Sequence, residues 1–278
     1  MNDLVFTLWD VGHGLSIWIS MPNGQHHWID LGRTPDFSPS EHVASQYGAK
    51  RIDYLIVSHP DEDHIADLPS FLQRFGPPRV LLRNRELRLE PNPVTICRRD
   101  FRDLHTGLTG PVAWQESPSN PNVNGGVSYE SEYLPPGFDV RGNRIDGNDI
   151  SVVVMLLYQH VLFVCPGDIE PRGWEELWRT SGDRFTRLIN QSSVRFLVAP
   201  HHGRHTAYCG AMMDVVQPSM AFVSDMYGQG ETHEAYRTRP TGATMRDGTT
   251  RRFCSTKMGG RIRVQVGPDG YLIDQFDP

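Results

Sequence analysis

Ser58-His59-Pro60-Asp61-Glu62-Asp63-His64 puts two imidazoles and three carboxylates into six consecutive residues. Ahead of it, Asp53-Tyr54-Leu55-Ile56-Val57-Ser58 is dominated by β-branched and aromatic residues and reads as a buried strand. Behind it, Ile65 to Phe75 carries helical periodicity, with Pro69 tolerable only near the first turn. The cluster therefore sits on a strand-to-helix turn at the carboxyl edge of a sheet, where many lone pairs meet in a small volume. Metal ions need that concentration of donors. Taken alone, the same turn also reads as solvated charge, or as an Asp or His capping the helix that follows.

Company from the rest of the chain separates the two readings. Gly167-Asp168 follows the apolar run Val161 to Cys165, and Pro200-His201-His202-Gly203 follows Val194 to Val198. Three separate strands thus each end in candidate ligands.

With those residues in view, His59-Pro60-Asp61-Glu62-Asp63-His64 resembles the first ligand motif of the metallo-β-lactamase superfamily, H-x-H-x-D-H. Its form here, H-x-D-x-D-H, is similar to the branch that contains the nuclease domain of ComEC-type DNA-uptake proteins. Asp10-Val11-Gly12-His13-Gly14 resembles that branch's D-V-G-Q-G, Ile29-Asp30-Leu31-Gly32 its D-x-G, and Pro200 to Gly203 its P-H-H-G. The resemblance runs from about Leu4 to about Gly203. It implies an αββα sandwich, with His59 and Asp61 on one metal, Asp63, His64 and His201 on a second, and Asp168 between them. Two divalent metals so placed would share a bridging hydroxide and attack a phosphodiester. Asp61 in place of the usual middle imidazole hardens the first site, favouring manganese or magnesium over zinc. For the ligand that normally falls between Asp63 and Asp168, Asn148, Asp149 and His105 are open alternatives. Besides Asp63, the candidates for a direct part in catalysis are His202, which either contacts substrate phosphate or packs behind the ligands, and His233. The latter is either a proton donor to the leaving group or a surface histidine. His13 stands where the branch has Gln, as an active-site contact or as polar filler.

Taken in order, Leu4 to Trp9 and Leu15 to Ser20 read as neighbouring strands, and His26 to Asp30 as the return strand of a hairpin. His26 and His27 point to opposite faces of that strand, so both cannot join one site. A short helix is expected between Glu41 and Gly48, and a short strand at Val80 to Leu82. From Arg83 to about Arg144 periodicity fades into turn formers, notably Ser117 to Gly126, and 83–144 reads as a loop-rich insertion overhanging the site. Val152 to Leu157 reads as a strand buried on both faces, Pro171 to Thr180 and Thr206 to Val216 as helices, and Met220 to Ser224 as a further strand ending near Asp225, Tyr227 and His233.

The chain has 278 residues, net charge -6 and 38% hydrophobic residues, with mean hydropathy -0.43. Length alone does not demand two domains, and one domain over 1–278 is expected. No apolar run approaches the roughly 18 residues of a membrane span, and no leader is recognised. The four cysteines, widely spaced, read as reduced thiols of a cytoplasmic protein. The negative charge gives no global field for nucleic acid. Locally, Arg79, Arg83, Arg85, Arg88, Arg98, Arg99 and Arg102 cluster after the motif helix, and Arg237, Arg239, Arg246, Arg251 and Arg252 near the end. Either group grips phosphates or forms a solvated face. The expectation is a metal-dependent hydrolase, a phosphodiesterase or nuclease with a nucleic-acid or nucleotide substrate. The alternatives are a hydrolase of a small ester such as a lactone, with an apolar pocket, and a non-catalytic binding module.

Overall fold

The structure, a computed structural model, describes residues 3–107, 123–226 and 231–276. Among the described residues, seven strands form one sheet and six another. Across the first the order is Gly270–Phe276, Arg261–Gly267, Leu4–Leu8, Ser16–Ser20, His26–Leu31, Tyr54–Ile56, Val80–Leu82, and only the last three run parallel to one another. Across the second it is Phe253–Ser255, Met220–Val223, Val194–Val198, Val161–Cys165, Val153–Tyr158, Ser128–Glu132, of which the first four are parallel. The C-terminal hairpin thus completes the N-terminal sheet.

Alternation along each strand divides the apolar residues among three cores. Phe6, Ile17, Ile19 and Ile29 of the first sheet face Val154, Leu156, Phe163 and Phe196 of the second, with the Phe6 and Phe163 rings stacked 4.4 Å apart. Outside the first sheet, Trp28 and Leu55 pack on Leu68 and Phe71 of the helix Leu68–Phe75 and on Phe101 of the helix Ile96–Gly107. Outside the second, Val153, Met155, Leu162 and Val164 pack on Trp174, Leu177, Phe185 and Leu188 of the helix Pro171–Gln191. Both faces of Val153–Tyr158 and Val161–Cys165 are covered, which is why their sequences are continuously apolar. The layers are helix, sheet, sheet, helix: an αββα sandwich.

Three local expectations change. The periodic stretch after the metal-type motif is two helices, Glu62–Ile65 and Leu68–Phe75, because the hydrogen bonds of the Asp67 N–H and carboxylate run to neighbouring segments instead of along the helix. It donates its N–H to Leu31 O at 2.7 Å, and its carboxylate accepts from Ser38 Oγ and the Ser40 N–H. The helix expected to stop at Thr180 continues to Gln191, since Phe185, Leu188 and Ile189 extend its buried stripe past Gly182. The stretch 83–144 holds more regular structure than its turn formers suggest. Cys97, Phe101 and Leu104 give Ile96–Gly107 one buried face, and Ser128–Glu132 is an edge strand. Ser117 to Asn122 of this stretch, and Tyr227, lie outside the described residues. Among the described residues, no helix is long and apolar enough to cross a membrane.

Two glycines let the motif turn dock. A Cβ on Gly14 would stand 2.5 Å from Asp63 O, and one on Gly32 would stand 2.7 Å from the same atom and 2.9 Å from Leu15 N and O. Real side chains do not approach so closely, so the backbone here is fixed by the lack of one. Asp63 O accepts from the Leu15 N–H at 3.2 Å, and Gly32 N donates to Leu15 O at 2.8 Å. Gly32→Ala should therefore displace Asp63, destabilising the protein by about 1–3 kcal/mol as overpacked sites do. Urea unfolding that leaves the midpoint unchanged would show that this contact has slack.

His27 is fully buried between Tyr54 and Tyr129, its Nδ1 2.8 Å from the Tyr129 hydroxyl. Burial, helped by the neighbouring His26, lowers its pKa to about 3. The unfolded chain then binds the extra proton first. Stability from this group is complete above the ordinary histidine pKa and declines as pH falls below it, by about 1.4 kcal/mol per pH unit until the folded pKa is reached. In His27→Gln, the stability difference between pH 7 and pH 5 should shrink by about 2 kcal/mol. Denaturant titrations at the two pH values check this, and an unchanged difference would remove His27 from the acid response.

Candidate metal centre

The ligand-type residues sit at carboxyl ends of strands from both sheets, where an α/β fold leaves a crevice. His59 to His64 follow Tyr54–Ile56, Asp168 follows Val161–Cys165, and His201 and His202 follow Val194–Val198. Ser58 ties the two sheets together here: its carbonyl accepts from the Val152 N–H at 2.9 Å, and a Cβ on Gly167 would lie 2.7 Å from its own Cβ.

Asp30, fully buried at φ 55°, orients the first imidazoles. It accepts from Ser58 N at 2.7 Å, Ser58 Oγ at 2.6 Å and His64 Nδ1 at 2.8 Å. A left-handed non-glycine residue costs roughly 1–3 kcal/mol, and hydrogen bonds to a charged group return about 1.5–3 kcal/mol each. The network outweighs the strain. Because the Ser58 hydroxyl gives its proton to Asp30, it accepts from His59 Nδ1, 3.1 Å away. Both rings therefore carry hydrogen on Nδ1 and present a lone pair at Nε2.

His202 follows the same logic from the second sheet. Its Nδ1 is 3.1 Å from the Ser224 carbonyl, which can only accept. To reach it the chain places His201, His202 and Gly203 consecutively in left-handed conformations, at φ 47°, 57° and 75°. Such strain marks a site that its surroundings hold in place.

The Nε2 atoms converge on carboxylates. His64 Nε2 is 3.2 Å from Asp168 Oδ1, His202 Nε2 is 3.2 Å from Asp63 Oδ2 and 3.6 Å from Asp168 Oδ2, and His59 Nε2 is 3.5 Å from Asp61 and 3.9 Å from Asp168. Nε2 of His59 and of His64 are both buried, and among the described residues neither has a hydrogen-bond partner. Lone pairs facing carboxylates repel unless a proton or a metal cation lies between them. Asp63, His64, Asp168 and His202 offer donor atoms all within 4.8 Å of one another and could hold a metal ion. Electrostatics agree. Burial disfavours charge on His64, yet Asp168 and Asp30 raise its pKa well above the ordinary value. Burial likewise works against ionised Asp168, and His64 and His202 still hold it well below the carboxylate range.

Of the residues expected as ligands, Asp63, His64 and Asp168 lie together, with His59 and Asp61 beside them. His202, read from sequence as a phosphate contact or a packing residue, joins Asp63, His64 and Asp168. His201, expected in that position, turns aside: its Nε2 is 3.9 Å from Asp168, and its Nδ1 lies near Glu170 at 3.6 Å and Asn148 Nδ2 at 3.2 Å. Two consecutive left-handed residues reverse which ring faces inward, and nothing in Pro-His-His-Gly reveals that. Asp61 remains beside His59 but over half exposed. His233 stacks on Tyr208 at 3.9 Å, and its Nδ1 accepts from the Ala235 N–H. Its ring is thereby committed to the loop, and among the described residues no hydrogen bond or ion pair joins it to Asp63 or Asp168.

Of the open alternatives, Asn148 lies beside His201, Asp149 accepts from Gly173 N at the start of the long helix, and His105 is held by Arg83. Arg83 itself is buried and bonded to Leu81 O and His105 O, so it supports the fold. In the C-terminal group, Arg239 pairs with Asp214, Arg246 with Asp274, and Arg237 lies over Phe253. His13 does reach the centre, 3.4 Å from Asp63 Oδ2, and its Nε2 accepts from Arg204 Nη2 at 3.2 Å. Burial lowers its pKa, which suits an acceptor. Sequence reasoning gave no part to Ser58, Ser224 or Arg204. For Arg204, its place directly after Pro-His-His-Gly was the available signal.

The family model for the metallo-beta-lactamase superfamily matches residues 14–161, more than half of the chain. Over 242 residues the chain is 25% identical to competence protein ComA of Neisseria gonorrhoeae. That match takes in 84% of this chain and only 28% of the relative's length. Among solved structures, the metallo-beta-lactamase fold protein YhfI from Bacillus subtilis covers 94% of this chain and 100% of its own at 9% identity and a TM-score of 0.45. A diphosphatase from the PhnP family covers 95% and 98% at 13% identity and a TM-score of 0.44. By its family match, and with a His/Asp cluster able to hold metal at the strand ends, the chain belongs to the metallo-beta-lactamase superfamily.

Proposed function

We propose that the protein is a metal-dependent phosphodiesterase acting on nucleic acid or nucleotides. The observation that carries this reading is the convergence of three imidazole lone pairs, each fixed by a hydrogen bond at Nδ1, on one group of carboxylates. Asp63, His64 and His202 would hold one divalent cation, and His59 and Asp61 a second with His201 at its edge, Asp168 serving both. When bound, such cations lower the pKa of a water molecule and neutralise charge on a phosphoryl group. The chain's own residues do the rest. Asp30 and Ser58 lock the tautomers of His59 and His64, and Ser224 locks that of His202. Arg204, steadied by His13, offers its remaining N–H donors to a phosphate oxygen. The share of carboxylates among the ligands favours manganese or magnesium over zinc. A nucleic-acid substrate also fits the likeness to a competence protein.

Manganese-loaded protein should carry about two equivalents of metal and hydrolyse bis(p-nitrophenyl) phosphate and single-stranded DNA, and Asp168→Asn should lose both metals and the activity. Turnover of a lactone, with no phosphodiester cleaved under manganese, magnesium or zinc, would overturn the reading. Asp30→Asn keeps the side-chain shape and the tolerance for a left-handed backbone but removes the charge behind His64. Metal affinity should fall roughly 10- to 100-fold, as with other orienting partners. A competitive chelator titration measures it, and full retention would mean that Asp30 serves the fold alone.

A further inference from the structure

Beside Asp61 the surface opens into a cleft of about 150 Å³. Pro60 and Asp61 of the motif turn form one wall. The irregular segment carrying Arg88 and Leu89 forms another, and the helix Ile96–Gly107 closes it with Arg98 and Phe101, three residues apart on one face. Asp61 belongs to the cleft and to the metal centre at once, since His59 Nε2 is 3.5 Å from it. Whatever fills the cleft therefore lies directly beside the group that Asp61 helps to hold.

We propose that this cleft receives the base of the nucleoside next to the scissile phosphate, an inference that rests on the phosphodiesterase reading. Its size argues for a fragment: ligand pockets for whole drug-sized molecules measure roughly 300–1,000 Å³, so this one admits a single ring system. Pro60 and Leu89, both partly exposed, supply apolar surface for the ring. The guanidinium groups suit a nucleotide, because arginine stacks on flat rings and forks phosphate oxygens. Both have donors to spare. Arg98 Nε is 3.4 Å from Glu62 but, although shielded from solvent, has no hydrogen-bond partner among the described residues. Arg88 is exposed, and among the described residues no hydrogen bond or ion pair engages it. Asp61 and Glu90 add two carboxylates to the lining. These balance both arginines, so the ring rather than net charge would carry the preference, and a cation held by Asp61 would add attraction for the phosphate. A base inside a duplex cannot enter such a cleft without unpairing, so the favoured substrates are single strands and nucleotide esters.

The test separates binding from catalysis. In metal-free protein, adenosine monophosphate should bind about tenfold more tightly than ribose 5-phosphate by calorimetry, the scale of one stacked base. Leu89→Trp, which fills the cleft, and Arg88→Glu should each abolish that preference while melting as cooperatively as the wild type. In manganese-loaded protein, kcat/KM for thymidine 5′-(p-nitrophenyl phosphate) relative to bis(p-nitrophenyl) phosphate should fall about tenfold in the same variants, through KM. Equal binding of the two monophosphates by the wild type, or a preference that survives both substitutions, overturns the proposal. Loss of the binding preference in both variants, in a protein that cleaves no phosphodiester, would support the cleft and sink the phosphodiesterase reading instead.

Discussion

The buried carboxylate of Asp30 is the constraint on which the rest depends. An ionised group with no solvent contact is tolerated only where several donors surround it, and here Ser58 N, Ser58 Oγ and His64 Nδ1 do so. Those donors come from the strand end and the turn that carry the candidate ligands, so satisfying the carboxylate also sets two imidazoles in one tautomer. One residue thereby couples the packing of the first sheet to the chemistry at its edge. The glycines at 14 and 32 complete the coupling by letting the Asp63 backbone lie against the neighbouring turns.

The centre concentrates like charge. Asp61, Asp63 and Asp168 stand within a few ångströms of three imidazole nitrogens that already have hydrogen on their other side. A folded chain can hold that arrangement when protons or cations sit between the partners, and binding of a cation to the native state alone would add stability by mass action. The same charges explain the opposed shifts of His64 upward and Asp168 downward. His27, buried without a carboxylate beside it, shifts downward through burial, with help from His26.

The surroundings of the centre are unequal. On the Asp63 side, His13 and Arg204 form a polar rim tied to the first turn and to the end of Pro-His-His-Gly. On the Asp61 side lies a mixed cleft built from the motif turn and from residues 88–101.

The local pattern around residues 54–64 determined a strand, a turn and a ligand cluster, because β-branched residues and clustered donors act over a few positions. Val161 to Asp168 and Val194 to His202 were equally legible, and with the family motifs they led to the layered α/β fold. What only the tertiary structure decided involves contacts distant in sequence. Arg261–Gly267 and Gly270–Phe276 join the first sheet because Leu4–Leu8 offers an edge, and the helix from Pro171 runs past Gly182 because the second sheet covers Phe185 and Leu188. In the same way the 83–144 stretch gained a helix, since Phe101 found a core that local turn formers could not announce. That His202 rather than His201 lies with Asp63, His64 and Asp168 follows from three successive left-handed residues held by Ser224 and Gly167, and Asp30 became the orienting group only when folding set it against Ser58 and His64. Sequence spacing supplies the donors. Which donor faces which depends on backbone dihedrals and hydrogen bonds that neighbouring strands impose.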